Sequence, residues 1–267
     1  MTIRYGSLLA SLRTLQSPGI VFAPTFGAIR YRTTATRGIA PLLDIYLPHR
    51  VRTRGPSIVL VHGGGFAIGS RRMKAIRYLA AHLTAAGIAV CAIDYRMIFR
   101  GGRLDEAIDD VCEAFTFWSA HIHDHDLDPS AISIAGLSAG GTLALLAAPR
   151  LTNLATVVSC FGLYETDHLR GAASLLPRLL FRSPDRAVWS ARSPRRASQP
   201  IAPTLLLHGG DDDLVPVEQA RSLAAHRERL GLPTRLVVYD GAPHGFFNEP
   251  MRPASEAVVE IAAFVRR

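Results

Sequence analysis

Gly136-Leu137-Ser138-Ala139-Gly140-Gly141 is the stretch from which the rest of the chain can be read. Before it lies an apolar, β-prone run from Ile132 to Ala135. After it lies an alanine- and leucine-rich run, Thr142 to Ala148, with helical character. A strand must therefore become a helix within a few residues, with Ser138 at the apex. So sharp a turn holds its apex residue at unfavourable φ/ψ and draws the strand and helix backbones together. A Cβ at Gly136 or Gly140 would clash there. The G-x-S-x-G pattern is a turn of this kind, and it lifts a serine hydroxyl above the end of a sheet.

On either side of this turn, short apolar runs alternate with amphipathic ones. Ile29–Thr34 and Leu42–Leu47 read as two strands joined by a turn containing glycine and proline. Ser57–Val61 reads as a short buried strand, and Ile88–Ile93, Ile132–Ala135, Ala155–Cys160, Thr204–Leu207 and Thr234–Tyr239 read as further strands. Between them, Ile76, Leu79, Ala80 and Leu83 mark one helix face, and Leu104, Ala107, Ile108, Val111, Phe115 and Trp118 mark another. Further helices are predicted over Val217–Leu230 and around Ala257, Val258, Ile261, Phe264 and Val265. Apolar strands alternating with amphipathic helices predict an α/β chain with a mostly parallel central sheet and helices on both faces. No internal repeat or linker divides it, so residues 1–267 read as a single domain. Leu8, Leu9, Leu12 and Leu15 predict a short helical segment within residues 1–28. The stretch of about 162–203 is too long for a plain connection and predicts a compact lid.

Composition narrows the function classes. Hydrophobic residues at 48% and charged residues at 19% are an ordinary globular balance. The net charge of +8 comes almost wholly from arginine, Lys74 being the one lysine. These arginines are spread along the chain, with no Lys/Arg run longer than two. They predict a basic solvated surface and no nucleic-acid partner. Cys91, Cys112 and Cys160 lie in apolar patterns without C-x-x-C spacing, which predicts reduced, buried thiols and neither a disulfide framework nor a zinc site. Leu8–Leu12 is too short and too soon interrupted for a signal peptide, and no later run is long enough for a bilayer. The expectation is a cytoplasmic protein with no stable membrane insertion.

Four polar features fall just past strand ends, where open α/β sheets bind ligands. They are His62-Gly63-Gly64-Gly65, Ser138, Asp211-Asp212-Asp213 and His244. A serine hydroxyl is a weak nucleophile at neutral pH. It needs a base to take its proton, and the base needs a carboxylate to fix its tautomer. His244, in the loop Gly241-Ala242-Pro243-His244-Gly245-Phe246, suits the base. Any of the three aspartates suits the acid on chemistry alone, since each is also fit to cap a turn or helix. The glycines at 63–65 and the N–H of Ala139, at a helix start, suit an oxyanion. The glycine run is no phosphate loop, lacking both G-x-G-x-x-G and a following Gly-Lys-Ser/Thr.

With these pieces in view, the chain resembles the α/β-hydrolase superfamily, and within it the hormone-sensitive-lipase-like and bacterial carboxylesterase/formamidase branch. The matching pieces are Leu43-Asp44-Ile45-Tyr46-Leu47-Pro48, His62-Gly63-Gly64-Gly65-Phe66, Asp94-Tyr95-Arg96, the elbow at Gly136–Gly141, His208-Gly209-Gly210-Asp211-Asp212 with Val215-Pro216, and His244-Gly245-Phe246. The resemblance implies an α/β-hydrolase fold, with Ser138 as nucleophile, Asp212 as acid and His244 as base. It implies oxyanion donors at Gly64, Gly65 and Ala139, and a structural turn at Asp94-Tyr95-Arg96. The activity it implies is hydrolysis of small carboxylic esters through an acyl-enzyme, with no cofactor and no metal. Amide or formamide hydrolysis uses the same machinery and is the alternative; a non-catalytic ligand-binding protein on the same fold is the rival of another class. Met97-Ile98-Phe99 departs from the Leu-Ala-Pro common after the Asp-Tyr-Arg turn.

Substrate contacts are expected from Phe66, Leu137 and Phe246. The stripe Leu175, Leu176, Leu179 and Leu180 either packs a helix on the body or roofs an acyl pocket. His121-Ile122-His123-Asp124-His125-Asp126 looks like a metal cluster. It departs in order from H-x-H-x-D-H and lies between a helix and a strand, at the sheet end away from the serine. It reads as a solvated loop. Oligomeric state has no signature in the sequence.

Overall fold

Eight strands form one sheet in the computed structural model, which describes residues 19–32, 41–49, 54–167 and 169–267. They are β1 (Phe26–Arg30), β2 (Leu42–Tyr46), β3 (Gly55–Val61), β4 (Ala89–Ile93), β5 (Leu127–Leu137), β6 (Leu154–Cys160), β7 (Thr204–Gly209) and β8 (Thr234–Tyr239). Their spatial order is β1-β2-β4-β3-β5-β6-β7-β8. β1 and β2 pair antiparallel; β3 to β8 are parallel throughout. The helices are α1 (Lys74–Ala85), α2 (Leu104–His121), α3 (Ala139–Ala147), α4 (Leu175–Phe181), α5 (Arg186–Ala191), α6 (Glu218–Arg229) and α7 (Arg252–Val265).

The continuous apolar runs of the central strands follow from cover on both faces; every residue of β4 is buried. On one face Val59, Ile93, Ile134 and Leu206 pack with Val111 and Trp118 of α2, Leu143 of α3 and Leu223 of α6. On the other, Leu60, Val90, Val158 and Leu205 pack with Ile76 and Leu79 of α1 and Ala257 and Ile261 of α7. The chain leaves β3 for β4 on one side and then takes β5 on the other. The crevice beyond the carboxyl ends of β3 and β5 is thus a topological switch point, where such sheets bind ligands. Val61 pairs with Gly136 in register, so the loop after β3 and the turn after β5 begin side by side.

The predicted helix around Leu8–Leu15 lies outside the described residues, as does the end of the strand expected at Ile29–Thr34. Residues 162–203 carry α4 and α5. The leucine stripe packs onto the body: Leu180 is buried, Leu176 and Leu179 are packed against the core, and Leu175 is exposed. Arg182–Glu106, at 2.8 Å, and Arg192–Asp105 tie the segment to the first turn of α2. Cys91 and Cys160 are buried, Cys112 is half-buried, and all three are free thiols; burial pushes the first two well above the ordinary thiol range. No described helix is long and apolar enough to cross a membrane.

Candidate active site

Ser138 sits at φ 52° and ψ −118°, a backbone conformation that side-chain-bearing residues rarely adopt. The strain is imposed by the meeting of β5 and α3. A Cβ on Gly136 would stand 2.0 Å from the Gly140 carbonyl oxygen, and one on Gly140 would stand 2.2 Å from that of Val61. The Ser138 N–H donates to Cys160 O at 2.9 Å, pinning the apex to β6.

His244 reaches this serine from beyond β8, at the sheet edge, and Asp212 from the loop after β7. The His244 Nε2 lies 3.0 Å from Ser138 Oγ, and Nδ1 lies 2.8 Å from Asp212 Oδ2. Asp212 is buried, and its Oδ1 accepts from the N–H groups of Leu214 (3.0 Å) and Val215 (2.8 Å). Burial alone would raise the Asp212 pKa, but hydrogen bonds from His208 and His244, with the Val215 N–H, outweigh it and hold the carboxyl at about 2. Among the aspartate triplet, Asp212 is the one within hydrogen-bond reach of His244.

His208 has a place in this geometry for which sequence reasoning had no account. It is fully buried, and its Nε2 lies 2.8 Å from Val215 O and 3.2 Å from Asp212 Oδ2. With two acceptors facing it, Nε2 must carry the proton. Two imidazoles therefore address the same carboxylate oxygen. The only sequence signal was its position in His208-Gly209-Gly210-Asp211-Asp212, four residues before the acid. Phe161 was also missed. It follows β6 at φ 41°, and its ring stands edge-on to His244 at 5.0 Å between centroids.

The loop after β3 curls over the crevice. Gly64 adopts φ +109°, and a Cβ there would lie 1.9 Å from the Ile68 carbonyl oxygen, so no other residue fits without moving the loop. Its own carbonyl accepts from the N–H groups of Ala67 and Ile68, both at 3.1 Å. The N–H groups of Gly64, Gly65 and Ala139 take part in no hydrogen bond among the described residues, which leaves them available to a ligand. If these N–H groups hold an oxyanion, as the sequence resemblance implies, Gly64→Ala is expected to lower kcat/KM for a short-chain ester by roughly 10²- to 10³-fold. Steady-state kinetics beside a circular-dichroism melt separates that loss from unfolding.

Polar contacts behind the loop hold it in place. His62 is buried, with Nδ1 2.7 Å from Gly63 O, and stacks on Tyr95 at 4.3 Å. Burial lowers its pKa, more than the Gly63 carbonyl raises it. Tyr95 OH donates to His62 O at 3.2 Å, and Asp94 accepts from the Arg71 N–H at 2.7 Å and pairs with its guanidinium. Arg71 also pairs with the buried Asp44 at 2.9 Å, and Arg96 clasps Asp110. The expected structural turn at Asp94-Tyr95-Arg96 thus has an identifiable task, bracing the His62–Gly65 loop against β2 and α2.

A cavity of about 190 Å³ opens beside Ser138 and His244. Leu137 lines it, together with Ile68, Met73, Ile76, Phe161 and Leu214. Phe66 and Phe246, the other two expected contacts, do not. Phe66 is buried in the core, and Phe246 packs its ring on Phe161, Tyr239 and Phe247. The leucine stripe of α4 is also absent from the wall. The histidine-rich segment after α2 forms no candidate metal site among the described residues. His121 Nδ1 donates to Phe117 O at 2.8 Å and stacks on that ring, and His125 stacks on Trp118.

The BD-FAE family model matches residues 43–226. Esterase LipC of Mycobacterium tuberculosis is 31% identical over 258 residues, covering 84% of this chain and 63% of LipC. The probable carboxylic ester hydrolase LipM of the same organism is 34% identical over 208 residues, covering 69% of this chain and 48% of LipM. The chain spans between 48% and 63% of the length of the first curated relatives it matches. Among solved structures, the propionate-bound form of Est2, a thermophilic esterase of Thermogutta terrifontis, matches at 26% identity with a TM-score of 0.71. The match covers 90% of this chain and 93% of that one. The chain has the α/β-hydrolase fold.

Proposed function

Given that the chain belongs to the BD-FAE family, we propose that it is a serine hydrolase that cleaves small carboxylic esters through an acyl-enzyme. The observation that carries this reading is the line from Ser138 Oγ through both nitrogens of His244 to Asp212, with 3.0 and 2.8 Å contacts. Asp212, ionised at neutral pH, accepts from the His244 Nδ1–H, and Nε2 is left as an acceptor for the Ser138 proton. Ser138 Oγ attacks the ester carbonyl as its proton passes to Nε2. The oxyanion so formed takes hydrogen bonds from the N–H groups of Gly64, Gly65 and Ala139. His244 then hands its proton to the departing alkoxide. Water, activated by the same nitrogen, repeats the cycle on the acyl-enzyme and frees the acid.

Ester chemistry is supported by LipC and LipM, which are named as an esterase and a probable carboxylic ester hydrolase. Small substrates are supported by the cavity: its 190 Å³ falls below the roughly 300–1,000 Å³ of common ligand clefts. The test is twofold. Purified protein is expected to hydrolyse p-nitrophenyl butyrate, and a dialkyl p-nitrophenyl phosphate is expected to stop it with one phosphoryl adduct on the peptide containing Ser138, read by mass spectrometry. An adduct elsewhere, or inhibition without one, overturns the reading.

A further inference from the structure

Three polar side chains line the cavity beside Ser138. Two are Ser138 and His244, and the third is Asn248. Asn248 ends the single 3₁₀ turn Phe246–Asn248 that follows the base, and it is only 8% exposed. Its Oδ1 is wholly enclosed and has no hydrogen-bond partner. Its amide nitrogen also takes part in none of the protein's hydrogen bonds among the described residues. The backbone is fixed, because the Asn248 N–H donates to Gly245 O at 2.9 Å. The side chain lies against Gly245, where an added Cβ would stand 2.9 Å from Nδ2. A carboxamide thus stands at the wall of a largely apolar cavity, four residues after His244, with its hydrogen-bonding capacity unused.

A buried amide in that condition is unfavourable to the folded chain, since water is lost from it and nothing replaces the water. A ligand with a polar group can pair whichever amide atom faces the cavity; a hydrocarbon ligand leaves both atoms unpaired. The terminal torsion of an asparagine is broad, and a half-turn exchanges oxygen for nitrogen. A hydroxyl, being both donor and acceptor, serves either orientation. Hydrocarbon specificity would need no amide here, and the surrounding Ile68, Met73 and Ile76 supply only apolar contact.

We infer that Asn248 is a specificity-determining residue, and that the preferred ester carries a hydroxyl on the group that enters this cavity. The inference rests on the ester-hydrolase reading and deepens it. Its test uses matched pairs that differ by one hydroxyl: p-nitrophenyl butyrate against p-nitrophenyl 3-hydroxybutyrate, and propyl acetate against 1,3-propanediol monoacetate. The first pair places the hydroxyl on the acyl side and the second on the alcohol side. Wild type is expected to favour the hydroxylated member of one pair by roughly tenfold or more in kcat/KM. Asn248→Leu and Asn248→Ala are expected to bring that ratio to about one or below. The ratio is read within each protein, so a general loss of activity does not disturb it, and the wild-type ratio needs no variant at all. Turnover without a hydroxyl preference in either pair overturns the inference alone, as does a preference that survives both substitutions. No wild-type turnover of any of the four esters removes the hydrolase reading and the inference together.

Discussion

Ser138→Ala is expected to lower kcat/KM for p-nitrophenyl butyrate by roughly 10⁴- to 10⁶-fold, while the melting temperature moves little. The size follows from what the hydroxyl does. No other described nucleophile is within hydrogen-bond reach of His244 Nε2, so its removal leaves a base with nothing to activate except water. Residual rate is expected from binding and from the proposed backbone donors at Gly64, Gly65 and Ala139. The small stability change follows from the backbone. Alanine keeps the Cβ that φ 52° already strains, the flanking Gly136 and Gly140 are untouched, and one partly buried hydrogen bond worth about 1 kcal/mol is lost. Parallel kinetics and thermal melts make the comparison. Equal rates for the two proteins would mean that the 3.0 Å contact is structural and the chemistry lies elsewhere.

Much of this arrangement was legible before any coordinates. The turn at Gly136–Gly141 could be read because its glycines are demanded by backbone contacts of about 2 Å, a constraint that leaves a mark on residue type. The strand Ser57–Val61 was visible as an apolar run because cover on both faces removes alternation. What escaped was whatever depends on the direction of a side chain after a tight turn. Phe246 looked like a wall residue, and no pattern in the sequence marks Asn248. In a 3₁₀ turn successive side chains point about 120° apart. The aromatic ring at its start goes into the packing around Phe161 and Tyr239, and the amide two residues on takes the cavity wall. Phe66 escaped for a like reason: at φ 62° its backbone is left-handed and its ring enters the core.

His208 shows a second kind of illegibility. A buried histidine four residues ahead of an aspartate is an ordinary event in sequence, and only the path of the Asp212–Val215 loop makes it a neighbour of the acid. The same holds for the Arg71 pairs with Asp44 and Asp94, which link segments far apart in the chain. Long-range polar contacts have no period and no local composition, so they emerge only once the strands are placed. Together they make the site a property of the sheet's switch point: the loop after β3 is braced from one side, and the carboxylate after β7 is held from the other.

Asp212→Asn is the second large effect, and its two consequences have separate causes. Activity toward p-nitrophenyl butyrate is expected to fall by roughly 10⁴-fold. The asparagine oxygen can replace Oδ1 as acceptor for the N–H groups of Leu214 and Val215, which turns the NH₂ toward His244 Nδ1 and His208 Nε2. His244 then keeps its proton on Nε2, where it can no longer accept one from Ser138. His208 faces a donor while Val215 O still requires its Nε2–H, so the amide has no orientation that suits all of its neighbours. The other consequence concerns pH. The folded carboxyl titrates at about 2 against an ordinary value of 3.8, so its contribution to stability is present above about pH 4 and is lost as pH falls toward 2. At neutral pH that contribution is on the order of 2 kcal/mol, and roughly 1 kcal/mol of it goes between pH 7 and pH 3. Urea unfolding of both proteins at the two pH values isolates it, because every other acid titrates alike in each. The wild type is expected to lose about 1 kcal/mol more than the variant over that interval. Equal losses, together with a rate deficit under tenfold, would remove Asp212 as the partner of the base.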